Sequence, residues 1–204
     1  MSHSTSSAAQ TACGLEDVIA TEQLDLRPIR ISDSDVETQA LLTLVRELAR
    51  TPGNFFAKLI EAARQLSGAD STGISLLDEE TKRFVWPAVS GTLKSYIGSG
   101  TPRDFGPCGT VLDRQSAILF LHPERHFTYL ASISPPLEEV LLIPFYMDRK
   151  PVGTIWAVIH DKDRKFDSEH RSLLTSLSNF AADAYRILAS NGTLKPLLKT
   201  KMSG

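Results

Sequence analysis

The residue in this chain with the greatest chemical potential is a cysteine in a segment rich in turn-forming residues. Cys108 stands between Pro107 and Gly109, shortly after the charged couple Arg103-Asp104. An accessible thiol with a lowered pKa could serve as a redox centre or attach a ligand covalently. Free cysteine is also among the most buried residue types. Because the sequence shows no group that would stabilise a thiolate, we favour a buried thiol, and a redox-active or hydrolytic enzyme remains the alternative.

Two histidines follow within one short segment and raise the question of a metal site. Imidazoles of His122 and His126, together with the Cys108 thiolate, would suit zinc or iron. Pro123 disfavours helical geometry at His122, so the two rings need not share a helix face. The order of residues also differs from the His-Glu-x-x-His zinc motif. We assign no metal site; Pro123 and Glu124 are typical of a helix start, and His126 stays a candidate to face a ligand.

Four aromatic residues could line a pocket for a flat ligand, although core packing is their more common fate. Arg103 and Asp104 could bind a polar ligand, pair with each other, or simply be solvated. The sequence assigns no catalytic residue and leaves the cofactor unknown. The candidate ligand-binding residues are Trp86, Arg103, Asp104, Phe105, Cys108, His126, Tyr129 and Trp156.

The composition is that of a globular protein. The 204 residues are 42% hydrophobic and 23% charged, which fits one domain with extensions. A net charge of −2 with scattered Lys and Arg gives no case for nucleic-acid binding. No apolar run reaches the roughly 20 residues of a membrane span, and the Ser-rich start lacks a signal-peptide layout. Two cysteines are too few for a disulfide framework, so we expect a cytoplasmic protein without membrane contact.

The elements that must position these residues are clearest in the second half of the chain. Residues 140–146 and 152–159 are apolar strands joined by a polar turn. Both faces of the second strand are largely apolar, which predicts a central strand covered on both sides. Asp167 is the expected N-cap of a long helix, whose apolar residues recur every three or four positions as far as Leu188.

The first half predicts helices followed by strands. We expect a flanking helix over residues 35–52, then a helix over 53–66 and a hairpin of strands at 72–77 and 84–89. Pro87 indicates an edge or bulge position in that hairpin. Residues 90–109 are predicted as loop and 117–121 as a third strand. The polar residues 1–34 predict a mostly disordered tail, with docking as an open alternative, and residues 190–204 a C-terminal tail.

This order of elements predicts an α+β fold, in which one antiparallel sheet carries helices mainly on one side and the loop-rich middle on the other. Residues 69–77, 140–145, 153–157 and 166–169 resemble the opening strand and the closing half of GAF domains, particularly those of bacterial signalling histidine kinases. The resemblance spans residues 53–189. It implies a ligand cup between sheet and loops, with dimerisation through flanking helices. Bilin attachment is not implied, because Gly109 follows Cys108 where bilin-binding members typically carry His.

The resemblance leads us to expect a non-catalytic sensory protein that binds a small molecule in the cup. It would form a homodimer through helices at 36–50 and 170–189 and signal to a partner, such as a histidine kinase of a bacterial two-component system. Kinase motifs are absent from this chain. GAF members that reduce free methionine sulfoxide use several cysteines, and Cys13 lies in the predicted tail. A structural dimerisation module with a filled cup is the third alternative.

Overall fold

Five strands form one antiparallel sheet in a computed structural model that describes residues 13–30 and 34–199. They are β1 (Ser71–Asp78), β2 (Arg83–Gly91), β3 (Ile118–Leu121), β4 (Glu139–Met147) and β5 (Lys150–Ile159), in the spatial order β2-β1-β5-β4-β3. The helices are α1 (Gln23–Leu26), α2 (Ser34–Arg50), α3 (Phe55–Ser67), α4 (Pro107–Arg114), α5 (Ser168–Ser190) and α6 (Leu194–Leu197). Short 3₁₀ turns occupy Glu16–Val18, Pro52–Asn54, Thr92–Tyr96, Pro123–Arg125 and Thr128–Ser132. The predicted α+β fold with one antiparallel sheet is confirmed.

The helices α3 and α5 cover one face of the sheet, and α2 packs on α3. Alternate residues of the central strands, such as Ile74, Ile155 and Ala157, join them in what we call the helix-side core. Asp167 caps α5 as expected: its Oδ1 accepts from the His170 backbone N–H at 3.1 Å. The cap begins the helix at Ser168, after the connection of residues 160–167 that follows β5. The apolar face of the helix packs on the sheet.

The opposite face of the sheet carries a second apolar cluster, which we call the cup-side core. The alternate residues Trp156 and Val158 of β5 point into it, so β5 is covered on both faces as predicted. Pro87 lies in the edge strand β2, opposite a register shift in β1, where its missing N–H leaves no ladder bond broken. The cover of this face consists of α4, the 3₁₀ turns other than Pro52–Asn54, and their connecting loops.

The structure corrects two expectations about local structure. Residues 107–109, the end of the predicted loop, form the first turn of the helix α4, which begins at Pro107. Gly109 in that first turn weakens the helical sequence pattern, because glycine is a poor helix former. The predicted C-terminal tail contains α6, whose Leu194 is buried in the helix-side core.

The N-terminal segment differs from the mostly disordered tail that its polar composition predicts. Residues 13–30, which we call the strap, run along the free edge of β3 and on to the start of α5, whereas residues 1–12 and 31–33 of that tail lie outside the described residues. The Ala20 backbone N–H donates to the Leu119 carbonyl at 2.9 Å. Val18 is buried in the cup-side core and Leu24 in the helix-side core. Two apolar anchors and many polar contacts therefore hold a segment that has little periodicity of its own.

One buried ion pair fixes the strap to the sheet. The Arg27 guanidinium donates two hydrogen bonds of 2.9 Å to the carboxylate of Glu139, the first residue of β4. The Glu139 side chain is fully buried and also accepts the Phe166 backbone N–H at 2.9 Å. These bonds tie the strap, β4 and the connection to α5 together.

Across the described residues, the helices lack the combination of length and apolar content that a membrane-spanning segment requires.

Candidate functional site

A small cavity lies between the cup-side face of the sheet and the helical turns that cover it. Its volume is about 40 Å³, which leaves room for roughly two to four water molecules at about 10–15 Å³ each. The sheet supplies one wall, the α4 N-terminus a second, and residues 123–137 the lid. The lining residues are uncharged: Trp86, Leu93, Thr101, Pro107, Cys108, Pro123, Leu130, Ile133, Leu137, Val140, Leu142, Trp156 and Val158.

The thiol of Cys108 sits at the start of α4 and faces two hydroxyls of the sheet. Its Sγ lies 3.3 Å from Ser75 Oγ and 3.5 Å from Thr154 Oγ1, two residues that are paired across β1 and β5. Complete burial raises the pKa of the Cys108 thiol, and the hydroxyls of Ser75, Thr154 and Thr101 offset this shift only in part. The thiol is therefore protonated at neutral pH, and a protonated thiol is a poor nucleophile and metal ligand.

Two indole rings form the floor of the cavity. The rings of Trp86 and Trp156 are 5.4 Å apart between centroids and are tilted by 59°. Trp156 fits against β1 only because residue 73 is glycine: a Cβ at Gly73 would lie 2.0 Å from a carbon of the Trp156 ring. The Trp156 Nε1–H donates to Ser75 Oγ at 3.1 Å. The sheet thus fixes Trp156 through packing and through a hydrogen bond.

The wall also contains buried polar atoms without a hydrogen-bond partner. They are Trp86 Nε1 and Thr101 Oγ1. The nearby Tyr129 Oη is also buried and also lacks a hydrogen-bond partner. The hydroxyls of Thr101 and Tyr129 lie close to each other and to Cys108, so that they influence one another electrostatically. Neither hydroxyl forms a hydrogen bond of acceptable distance and angle. Burial raises the pKa of Tyr129, which keeps it neutral. Leaving a buried donor unsatisfied typically costs about 1–3 kcal/mol, so these atoms favour an occupant that would pair with them.

A separate aromatic cluster lies outside the cavity, near the strap. Phe105, which is 45% exposed, contacts the rings of His126, Phe127 and Tyr129 at centroid distances of 5.3–6.2 Å. His126 Nδ1 lies 2.8 Å from the Cys13 carbonyl oxygen, so this histidine links the lid to the strap. Of this cluster, only the Tyr129 hydroxyl approaches the cavity wall.

Arg103 and Asp104 also lie away from the cavity. Arg103 donates to Asp113 Oδ1 at 2.5 Å, and this hydrogen bond raises the pKa of the guanidinium further. Asp104 is exposed. Both line a surface groove between α4 and the β1–β2 and β4–β5 turns, in which acidic and basic side chains alternate. Such solvated charges do not form a closed binding site.

The sequence model of the family described as GAF domain matches residues 49–185, more than half of the chain. The chain belongs to the GAF domain family. A comparison with curated proteins finds no match.

Solved GAF structures share the fold at low sequence identity. The GAF domain of a phosphoenolpyruvate-protein phosphotransferase from Acinetobacter is 18% identical, covers 78% of this chain and 97% of its own, and gives a TM-score of 0.65. A free methionine-R-sulfoxide reductase from Neisseria meningitidis is 16% identical over 80% and 97%, with a TM-score of 0.64. The second GAF domain of DevS from Mycobacterium smegmatis is 20% identical over 70% and 99%, with a TM-score of 0.57. At these identities the likeness concerns the fold alone.

The GAF cup brings together three of the eight candidate residues that the sequence indicates, namely Trp86, Cys108 and Trp156. Tyr129 reaches the edge of the cup with its hydroxyl. The structure places the other four candidates on other surfaces. Arg103, Asp104 and Phe105 lie on the loop that turns outward before α4 begins, and His126 lies in the lid with its Nδ1 beside the strap. No group of three potential metal ligands comes together within residues 13–30 and 34–199.

Sequence reasoning missed three hydroxyl residues around the cup: Ser75, Thr101 and Thr154. A signal was present for two of them. Ser75 and Thr154 are polar side chains in otherwise apolar strands that are covered on both faces, and a polar residue at such a position needs a local partner. Thr101 carries no comparable signal, because it follows a glycine in a loop.

Proposed function

We propose that this GAF domain is a non-catalytic sensory module of the cytoplasm, which binds a small molecule in the cup and signals through its flanking helices. The observation that carries the proposal is the cavity between sheet and lid, with buried polar atoms of its wall that lack partners. The wall offers contacts to a ligand but no activated nucleophile, since burial raises the pKa of the Cys108 thiol.

Strand β5 offers a physical route from the cup to the flanking helices. Trp156 faces the cavity, whereas its neighbours Ile155 and Ala157 pack in the helix-side core with α3 and α5. A ligand that moves the Trp156 ring would therefore act on the surface on which α5 rests. Under the proposal, the ligand shifts the population between two packings of the flanking helices, by at most its difference in affinity for the two. The receiver would be a homodimer partner, a histidine kinase or another signalling protein.

A redox enzyme centred on Cys108 is less well supported. A structural neighbour reduces free methionine sulfoxide, but here the cup contains one cysteine, and the second, Cys13, lies on the strap outside the cavity wall. A structural module with a filled cup gains some support from the small volume of the cavity.

Native mass spectrometry and an absorbance spectrum of the freshly purified full chain test the proposal. We expect a mass increment that is lost on denaturation, and the same increment in the Cys108→Ser variant, because the thiol is not required for binding. An increment that survives denaturation and disappears in Cys108→Ser would instead indicate covalent chemistry at the thiol. If the protein carries no ligand and binds none from a small-molecule library, the structural module becomes the better interpretation.

A further inference from the structure

We infer that the cup selects an uncharged, largely apolar molecule that presents one hydrogen-bond acceptor. This inference rests on the proposed function, since it specifies the class of ligand for the same cavity.

The wall explains why the ligand carries no charge. None of its residues is Asp, Glu, Lys, Arg or His. The one titratable group that it contains, the Cys108 thiol, is held in its neutral form by burial. A charged ligand would lose its hydration without gaining a counter-charge, and this loss is far greater for ions than for neutral polar groups. A nucleotide or a free amino acid would face this penalty.

The N-terminus of α4 is the one feature of the wall that could attract an anion. Its capacity is limited here. Pro107 has no N–H to offer, and the Thr110 N–H already donates to the Gly106 carbonyl at 3.1 Å, which leaves Cys108 and Gly109 as the first-turn donors. An anion nevertheless remains the sharpest competing ligand, so the experiment includes one.

The unpaired indole explains why the ligand presents an acceptor. The Trp86 Nε1–H group can only donate a hydrogen bond. It has no acceptor, although the side chain is buried with 7% of its surface exposed. Its counterpart Trp156 already donates to Ser75. The Trp86 Nε1 atom has no surface exposed to the cavity. An acceptor therefore reaches it only when the wall moves, which couples recognition to movement.

The tryptophan content of the chain makes this inference directly measurable. The sequence contains two tryptophans, and both line the cup. A ¹H–¹⁵N spectrum of the full-length protein therefore shows two indole signals, which the Trp86→Phe variant assigns. Three planar Y-shaped probes of nearly equal size separate charge from shape: acetone is neutral with an acceptor, acetate is an anion, and acetamidinium is a cation.

We expect acetone to shift the Trp86 indole proton saturably and downfield, while acetate and acetamidinium leave it unchanged at matched ionic strength. Trp86→Phe keeps an aromatic ring but removes the donor, so we expect acetone to bind about threefold to tenfold more weakly. Binding to this variant is followed by the Trp156 signal. The control Tyr185→Phe removes a hydroxyl from the helix-side core, which does not line the cavity, and the Trp86 signal should keep its response to acetone.

The possible results separate the inference from the proposed function. If acetate or acetamidinium binds saturably and more tightly than acetone, the cup does not select an uncharged molecule. The proposed function as a ligand-binding cup would still stand. If acetone binds wild type and Trp86→Phe with equal affinity, the ligand does not need an acceptor for Trp86, and that part of the inference is wrong. A Trp86 signal that responds to none of the probes overturns the inference, whereas the sensory role is decided by whether the purified protein carries or binds any other small molecule.

Discussion

Cys108 is a residue at which two physical effects oppose each other. The first turn of a helix normally stabilises a thiolate through its free N–H groups. Here the surrounding apolar wall removes water from the sulphur, and the penalty on the charged form outweighs the hydroxyls nearby, so the pKa is raised. The position of the cysteine, which is readable from the sequence, therefore suggests reactivity that its environment suppresses.

This environment predicts unequal reactivity of the two thiols. Cys13 is partly exposed on the strap, whereas Cys108 is buried. At mildly alkaline pH we expect a disulfide reagent to modify one thiol of the native protein rapidly, and the second only as the protein unfolds. The Cys13→Ser variant should lose the rapid phase, and Cys108→Ser should keep it. Rapid native modification of Cys108 would contradict the structure and would favour the enzyme hypothesis.

At the scale of elements, sequence periodicity predicted the strands and helices whose apolar residues recur at regular spacing. The strands β4 and β5, the hairpin of β1 and β2, and the long helix α5 all follow from apolar spacing and from the cap at Asp167. For the strap, docking was only an open alternative to disorder, because its fixing contacts are with residues far away in the sequence. The bond between Arg27 and Glu139 joins residues 112 positions apart, and a local pattern cannot contain such a contact.

The difference between local and distant contacts also explains which site residues the sequence could indicate. Trp86, Cys108 and Trp156 were candidates by residue type, since aromatic rings can contact a flat ligand and a thiol can react with one, although core packing was the more common expectation for the rings and burial for the thiol. The neighbouring candidates Phe105 and His126 depend on the direction in which a loop leaves the sheet. Local sequence does not determine that direction, since it is set by the packing of the lid against the strap.

The ion pair of the strap predicts a large loss of stability on truncation. In Arg27→Ala the buried Glu139 carboxylate loses both guanidinium hydrogen bonds and keeps only the Phe166 N–H and the more distant Lys165 ammonium at 3.5 Å. Breaking a buried pair typically costs about 3–5 kcal/mol. Urea unfolding followed by far-ultraviolet circular dichroism measures the loss. Arg171→Ala is the matched control, because it breaks the pair that Arg171 forms with the exposed Asp25 of the same strap. A loss in Arg27→Ala no greater than in the control would show that the strap is not fixed by the buried pair.

At the scale of the whole molecule, the response to acid can be predicted from Asp70. Burial alone would raise the pKa of this carboxyl, but hydrogen bonds from the His160 backbone and the Arg164 guanidinium, at 2.8 and 2.6 Å, lower it below its ordinary value of 3.8. A pKa lowered by folding means that the folded state binds the proton less readily than the unfolded chain. The contribution is therefore complete above about pH 3.8 and is lost as the pH falls through the lower, folded-state pKa.

We accordingly expect Asp70→Asn to destabilise the protein at neutral pH, by about 1.5–3 kcal/mol for the lost charged hydrogen bonds. The difference from wild type should shrink as the pH approaches the acid limit of folding. Urea unfolding over a series of pH values measures both quantities. Asp163→Asn, which changes an exposed carboxylate in the same connection between β5 and α5, serves as the control. A penalty for Asp70→Asn that is independent of pH would exclude the charge as its cause.

The outer face of α2 bears on the assembly of the whole molecule. Leu44 packs inward, whereas Leu42 and Val45 are exposed by 44% and 52%. Their spacing places them on one stripe of the helix, and burying such a stripe stabilises an interface by roughly 25 cal/mol per Å² of apolar surface. This supports the proposed homodimer through the flanking helices, the arrangement in which ligand binding in two cups could change the packing of one shared interface.

Sedimentation equilibrium of the full chain tests this arrangement. We expect a dimer whose dissociation constant rises by about tenfold or more in the variant Leu42→Glu/Val45→Glu, since tenfold corresponds to about 1.4 kcal/mol and the glutamates would have to lose hydration in the interface. Thr43→Glu adds a charge at an exposed position on another side of the same helix and should leave the dimer intact. Unchanged circular dichroism in all three proteins would confirm that the helix persists. A wild-type monomer, or a dimer indifferent to both stripe substitutions, would rule out α2 as the interface, and the signal would then have to leave the domain through α5.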